Sequence, residues 1–252
     1  YSERRQGAIR LTVDCPTCAP PPPPETSYLV PAAAHVDGFA GTRWVTDLTL
    51  ANRGEDPVAV ELALLGEAGP VAAVPLEIAP RTTRVLEDVV LATLGEVGAG
   101  ALRVAASGEL VVASRTYDVD ESGTYGQGIP GPAVDEVVEA GGAVRLIGLR
   151  GGPSFRTNLG LANAGPEPVA AEVDLYDDDA TKLAALRREL PAWGRIQLDR
   201  VLDGLPVSAD QPAIAIVRNP SVAGRLAAYA SVVDQRTGDP TYVAGSPLVA
   251  AG

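Results

Sequence analysis

The stretch Trp44-Val-Thr-Asp-Leu-Thr-Leu-Ala-Asn-Arg-Gly-Glu-Asp-Pro-Val-Ala-Val-Glu-Leu-Ala-Leu64 returns 111 positions later as Phe155-Arg-Thr-Asn-Leu-Gly-Leu-Ala-Asn-Ala-Gly-Pro-Glu-Pro-Val-Ala-Ala-Glu-Val-Asp-Leu175. Eleven of the 21 positions are identical without a gap. The same offset pairs Pro80 with Pro191, Arg84 with Arg195 and Asp88 with Asp199. After small insertions, Gly123-Thr124-Tyr125 matches Gly238 and Thr241-Tyr242, and Pro130 matches Pro247. Self-similarity over this length marks two copies of one structural unit. Within the copies, Thr46–Asn52 and Val58–Leu64 alternate polar and apolar residues, the period of a strand with one buried face. Asn-Arg-Gly-Glu-Asp-Pro between them is turn chemistry.

Working outward, further strands are expected at Thr83–Leu86, Gly100–Ala105, Glu109–Arg115 and Thr124–Ile129. A helical turn or two fits Asp88–Leu94 and Asp199–Leu202. Asp177–Leu190 has leucines at helical spacing, yet its counterpart Gly66–Ile78 contains Gly69 and Pro70, which favours a hairpin. Short strands at this spacing predict an all-β chain of two tandem antiparallel β-sandwiches of about seven strands each. The expected organisation is a strand tail with a C-x-x-C over 1–19, a Pro-rich linker over 20–27, a first sandwich over 28–131, an acidic linker over 132–142 and a second sandwich over 143–252.

Composition narrows the function. The chain has 252 residues, 46% hydrophobic, with 27 Gly, 22 Pro and a net charge of −12. Such acidity disfavours binding to phosphate backbones and anionic membranes. No apolar run is long enough for a membrane helix. Met is absent even at position 1, which predicts a processed or trimmed chain. Lys182 is the single Lys, and Asn occurs only at positions 52, 158, 163 and 219.

In Gly7–Asp14, Ile9, Leu11 and Val13 share one face, and Arg10, Thr12 and Asp14 the other. Five prolines, Pro20 to Pro24, follow as a stiff polyproline spacer. A lone strand is unstable in water, so this one needs an open sheet edge, in its own chain or a neighbour's. Exchange between copies gives a head-to-tail contact, and one that does not close makes a filament.

Cys15-Pro-Thr-Cys18 is expected to form a disulfide in an oxidising compartment, within the turn or to another subunit. A redox motif and a zinc site are the lesser readings, the latter because His35 is the single His. His35 is expected in a loop or at an edge. Asp177, Asp178 and Asp179, and separately Asp118, Asp120 and Glu121, form acidic loops that read as solvated turns and weak calcium candidates, with no metal as the expectation. Trp44 and Trp193 are expected to plug sandwich cores. No P-loop, dinucleotide fingerprint or nucleophile elbow is present.

Thr-Asp-Leu-Thr-Leu-Ala-Asn, Pro-Arg-Thr-Thr-Arg-Val-Leu-Glu-Asp-Val-Val, Ala-Leu-Arg-Val, Ser-Arg-Thr-Tyr and Gly-Thr-Tyr-Gly-Gln-Gly-Ile-Pro resemble a tandem immunoglobulin-like β-sandwich repeat of secreted or surface bacterial proteins. The resemblance covers both units and is clearer in the first. It implies an exported, modular protein and carries no functional residue across. Together these readings predict a non-catalytic extracellular or cell-surface protein without cofactor, a filament subunit that self-associates through Ile9, Leu11 and Val13. The alternative is an adhesion or carbohydrate-binding module of a larger secreted protein.

Overall fold

A computed structural model describes residues 26–38, 41–120, 123–207 and 212–248. Ile9, Leu11, Val13, Cys15, Cys18, the proline run and Glu121 lie outside the described residues.

The described chain is nearly all antiparallel strand. Its first half holds β1 (Thr26–Asp37), β2 (Arg43–Ala51), β3 (Val58–Gly66), β4 (Gly69–Ile78), β5 (Thr83–Leu86), β6 (Gly98–Ala106), β7 (Val111–Asp120) and β8 (Gly123–Pro130). A short β9 (Val138–Glu139) follows. Then come β10 (Ala143–Leu149), β11 (Phe155–Asn163), β12 (Val169–Tyr176), β13 (Lys182–Leu190), β14 (Arg195–Leu198), β15 (Ala213–Arg218), β16 (Arg225–Asp234), β17 (Pro240–Ala244) and β18 (Ser246–Pro247). Residues 177–190, expected to form a hairpin of their own, supply the turn and second strand of the β12–β13 hairpin, with Ala180 in the left-handed region at the turn (φ 62). Asp88–Leu94 gives one wide helical turn, Val89–Thr93, and residues 199–204 form hydrogen-bonded turns.

In the first half the pairing order is β4-β3-β6-β1-β2-β7-β8, with β5 on β2. β1 is the hinge of this sheet: His35 pairs with Gly98 of β6 on one side and Val45 of β2 on the other. Pro31, which cannot donate to a ladder, sits where the β1–β6 register shifts. The sheet thereby folds over itself into a sandwich-like pair of layers. Its core joins Val60, Leu62, Leu64, Leu102 and Val104 from one layer to Leu48, Leu50, Leu86, Val112 and Ile129 from the other. The second half repeats this as two separate sheets, β13-β12-β15-β10-β18 and β14-β11-β16-β17, with their own core.

The repeated Asn explains itself chemically. Asn52 Oδ1 accepts the Gly54 N–H at 2.9 Å, and Nδ2 donates to the Asp56 and Ile78 carbonyls at 2.8 and 3.0 Å. Asn163 does the same with Gly165, Glu167 and Pro191. Each is a buried amide that satisfies a turn which would otherwise leave orphan backbone groups.

The register corrects the sequence alignment. The pairs Val58–Ile78 and Val169–Leu190 put the offset at 111 on β3 and 112 on β4. One extra residue therefore sits in the second hairpin. Arg195 matches Thr83 rather than Arg84, since these two pair with Ala162 and Ala51. Arg81 and Trp193 then share a positive φ, as do Asp88 and Arg200. Tyr242 opposes Ser231 as Gly128 opposes Arg115, so Tyr242 is the counterpart of Gly128, not of Tyr125.

Residues 132–142 do not run free between the units. Leu29 N–H donates to the Pro132 carbonyl at 3.0 Å, Val134 N–H donates to the Ser27 carbonyl at 2.8 Å, and β9 pairs with β16. The units themselves stack. In β6, Leu102 and Val104 face the first core, while Ala101 faces the second unit. Leu29, Ala63, Leu65 and Ala101 meet Ala162, Ala164 and Ala227 in a third apolar cluster. Neither tryptophan plugs a sandwich core. Trp193 packs at the rim of this third cluster with Arg103 4.6 Å over its ring, and Trp44 is partly buried elsewhere along the same contact. Small side chains let the two sheets approach.

The equivalent sheet faces of the two units differ: one is buried at the junction between the units and the other faces outward. By the strand registers, Leu29, Ala63 and Leu65 correspond to Arg145, Asp174 and Tyr176 of the second unit. There Asp174 is bridged at 2.6 Å by both Lys182 and Arg218, and Arg187 bridges Glu172 and Glu189. A charged outer face of this kind closes a repeat stack against further stacking.

Two predictions follow from these contacts. A Cβ at Gly160 would overlap the Tyr229 ring, so Gly160→Val is expected to cost about 2–3 kcal/mol by urea denaturation, while Gly128→Ala, which meets open space, is expected to cost under about 0.5 kcal/mol. The Lys182 hydrogen bond holds the Asp174 carboxyl below its usual range. A lowered folded-state pKa contributes stability that is present above the ordinary Asp value and lost as pH falls through the lowered one. Asp174→Asn is therefore expected to lower stability by up to about 1 kcal/mol at pH 7, and this difference is expected to vanish in thermal melts at the acid end of that window.

Candidate functional site

Two constellations stand out among the described residues. The first pins the turn after β5. Asp88 sits in the left-handed region (φ 44, ψ 55), and Asp47 Oδ1 accepts its N–H at 2.9 Å. The Asp88 carboxylate lies 2.9 Å from His35 Nδ1. Asp47 Oδ2 accepts the Tyr117 hydroxyl at 3.1 Å, and burial together with that bond raises the Tyr117 pKa. Thr46 Oγ1 accepts the Ala34 N–H at 2.8 Å and lies 2.8 Å from Thr116 Oγ1. His35 is thus buried in β1, at 7% exposure, and not in a loop. The second unit keeps the turn without the histidine: Asn158 Oδ1 accepts the Arg200 N–H at 3.0 Å. Among the described residues no hydroxyl bonds the other His35 ring nitrogen. The dyad orients the turn at Asp88.

The second constellation is a cavity of about 160 Å³ between the stacked sheets. Ala33, Trp44, Thr116 and Gln127 line it from the first unit, and Arg156, Asn158, Arg195, Gln197, Tyr229 and Ser231 from the second. The position of each follows from strand alternation. Leu159 and Leu161 of β11 point into the second core, so the alternate residues Arg156, Asn158 and Gly160 point toward the first unit. Tyr229 stacks on Tyr242 with ring centroids 5.7 Å apart. Ser231 donates to Gln127 Oε1 at 3.2 Å across the contact, and the Tyr229 hydroxyl lies 3.4 Å from Gln197 Oε1. Burial raises the Tyr229 pKa against the opposing pull of Arg195. Burial and the charge of Arg200 lower that of Arg156. Perturbed groups converging on a cleft between units are a frequent signature of binding sites.

The acidic loops do other work. Asp177 Oδ1 accepts the Thr181 N–H at 2.7 Å and so closes its own turn, while Asp178 and Asp179 are exposed. Asp118 Oδ1 accepts the Arg43 N–H at 2.6 Å. Among the described residues no group of three or more His, Cys, Asp or Glu is arranged to hold a metal ion. No helix among them is long and apolar enough to cross a membrane. Sequence reasoning missed the cavity. Its one signal was a strand, β11, whose non-core face reads Arg156, Asn158, Gly160, Ala162, polar at one end and small at the other.

No known family profile matches the chain, and no curated protein does. Among solved structures, a Thermotoga maritima protein aligns over 42% of this chain and 92% of its own at 17% identity, with a TM-score of 0.36. A lectin from Pleurotus ostreatus, solved with GalNAc, aligns over 90% and 76% at 9% identity, with a TM-score of 0.18. Likeness at that level fixes neither fold nor ligand.

Thr46→Val is expected to leave the Ala34 N–H unpaired in the interior and to cost about 1–3 kcal/mol in chemical denaturation, with β content by circular dichroism unchanged.

Proposed function

We propose that this chain is a non-catalytic extracellular structural protein, a subunit of a surface filament joined head-to-tail by its N-terminal strand. Each unit is read as an immunoglobulin-like sandwich. In support, β2 pairs with β5 and β3 with β6, as strands B with E and C with F do in immunoglobulin domains. The departure is that β7 pairs with β2 and not with β6.

The observation that carries the assembly reading is how the chain enters the fold. At Thr26–Leu29, β1 has β6 on one side and residues 132–134 on the other. Both edges are taken, so the tail has no ladder to join beside β1. Five consecutive prolines, Pro20 to Pro24, stand in the sequence before Thr26, a composition that favours a stiff spacer. In this reading the apolar face of Ile9, Leu11 and Val13 seats in a second copy, with pairing to its own chain as the competing possibility. The acceptor is an apolar groove of about 430 Å³ lined by Leu29, Pro31, Val144, Ala228, Tyr242 and Pro247. Pairing there is head-to-tail and open-ended. The pair Cys15 and Cys18 belongs to the same exported setting. The charged end face of the second unit supports strand exchange over sheet stacking as the joint. The alternative, an adhesion or carbohydrate-binding module, draws on the polar cavity and tolerates loss of residues 1–24.

Electron microscopy of the purified chain, of a version lacking residues 1–19, and of Ala244→Arg at the exposed rim of the groove tests this. Filaments are expected from the intact chain alone. Folded monomers from all three would sink the filament reading.

A further inference from the structure

We propose that the cavity between the stacked sheets is a binding site for a small oxyanion, a carboxylate or a phosphate-like group, held by Arg156 and Arg195. The inference is independent of filament assembly and rests on an accounting of the cavity's polar groups.

Arg195 is 8% exposed, yet among the described residues it forms no ion pair; its partner is the neutral Tyr229 hydroxyl. Arg156 also forms no ion pair there; burial and the like charge of Arg200 oppose its charge, and Asp199 favours it without bridging it. None of the lining residues is Asp or Glu. A guanidinium cannot shed its proton to escape burial, so a buried one calls for a counter-charge.

The amides point the same way. Asn158 Oδ1 is spent on the Arg200 N–H, which leaves its NH₂ group. Gln127 Oε1 is spent on Ser231, which leaves its NH₂ group. Gln197 is spent at both ends, on Asp199 at 2.7 Å and on Tyr229. The uncommitted amide and guanidinium groups are therefore all donors. A site that offers donors and positive charge selects an acceptor-only anion.

A volume of about 160 Å³ holds about five waters, or one oxyanion with a water or two. The Trp44 and Tyr229 rings and Ala33 line it beside the donors. The chain's net charge of −12 opposes anions at long range, so binding here is local, from charges closer than a Debye length. Both units supply lining residues, so a bound anion also ties them together.

The test uses the full chain. Thermal melts are run in sodium phosphate, sulfate or acetate against sodium chloride at matched ionic strength, with titration calorimetry for the best anion. Trp44 fluorescence in a Trp193→Phe background reports on the cavity directly. The expected result is a melting temperature that rises with oxyanion concentration, with a saturable change in Trp44 emission. Arg156→Gln, at a half-buried position, is expected to melt normally in chloride and to bind at least tenfold more weakly. Arg195→Gln is expected to abolish the response; if it does not fold, Arg156→Gln and Asn158→Ala decide. A wild-type response to acetate alone identifies a carboxylate site, and one to phosphate and sulfate a tetrahedral oxyanion site. Identical melts in chloride and all three anions, or a response undiminished in Arg156→Gln, would overturn the proposal.

Discussion

At the middle of this molecule two sheets touch, and each is already committed to a core on its other face. β6 carries the constraint in four residues. Leu102 and Val104 complete the first core; Ala101 and Arg103 meet the second unit. A sheet buried on both faces needs large side chains on one side and small ones on the other if two cores are to lie close together. Ala63, Ala101, Ala162 and Ala227 meet that need, and Gly160 leaves the space that the Tyr229 ring fills.

The same contact changes character along its length. At one end it is alanine packing under the Arg103–Trp193 pair. At the other, β11 and β14 present Arg156, Asn158, Arg195 and Gln197, and the sheets part to leave a cavity. Apolar packing fixes the spacing, and the polar end inherits a void whose donors are held by strand geometry. Rigid elements of this kind position groups better than loops do. The dry end and the wet end thus make one mechanical unit.

The four asparagines show how a scarce residue is placed. Asn52, Asn163 and Asn219 each accept an N–H two residues on and donate to turn carbonyls, and Asn158 caps the turn at Arg200. An amide can serve a donor and an acceptor at once, which a carboxylate cannot. Where one partner suffices, the first unit uses Asp47 in place of Asn158, and the freed oxygen takes Tyr117. At the same turn the first unit has Asp88 where the second has Arg200, and the Asp88 carboxylate bonds His35.

The repeat, the strands and the two hairpins were legible because each is local. Alternation at Thr46–Asn52 and turn residues at Asn52–Pro57 need no distant partner to be read. Offsets were legible to within one residue as far as β5, where Pro191 and Arg195 match in identity but Leu190 and Thr83 decide the register, and only to within three at β8, where Tyr125 matches Tyr242 in identity but Gly128 matches it in register. His35 and the two tryptophans were misplaced, since one residue type suits an edge, a core or an interface equally well. The cavity was not legible at all. No sequence signal singled out Arg156 or Arg195, and nothing local says that another sheet lies over them. Composition and periodicity determined what each strand buries on its core face. Only the tertiary structure decided what covers the other face, because that depends on contacts between residues more than 100 positions apart, such as Gln127 with Ser231.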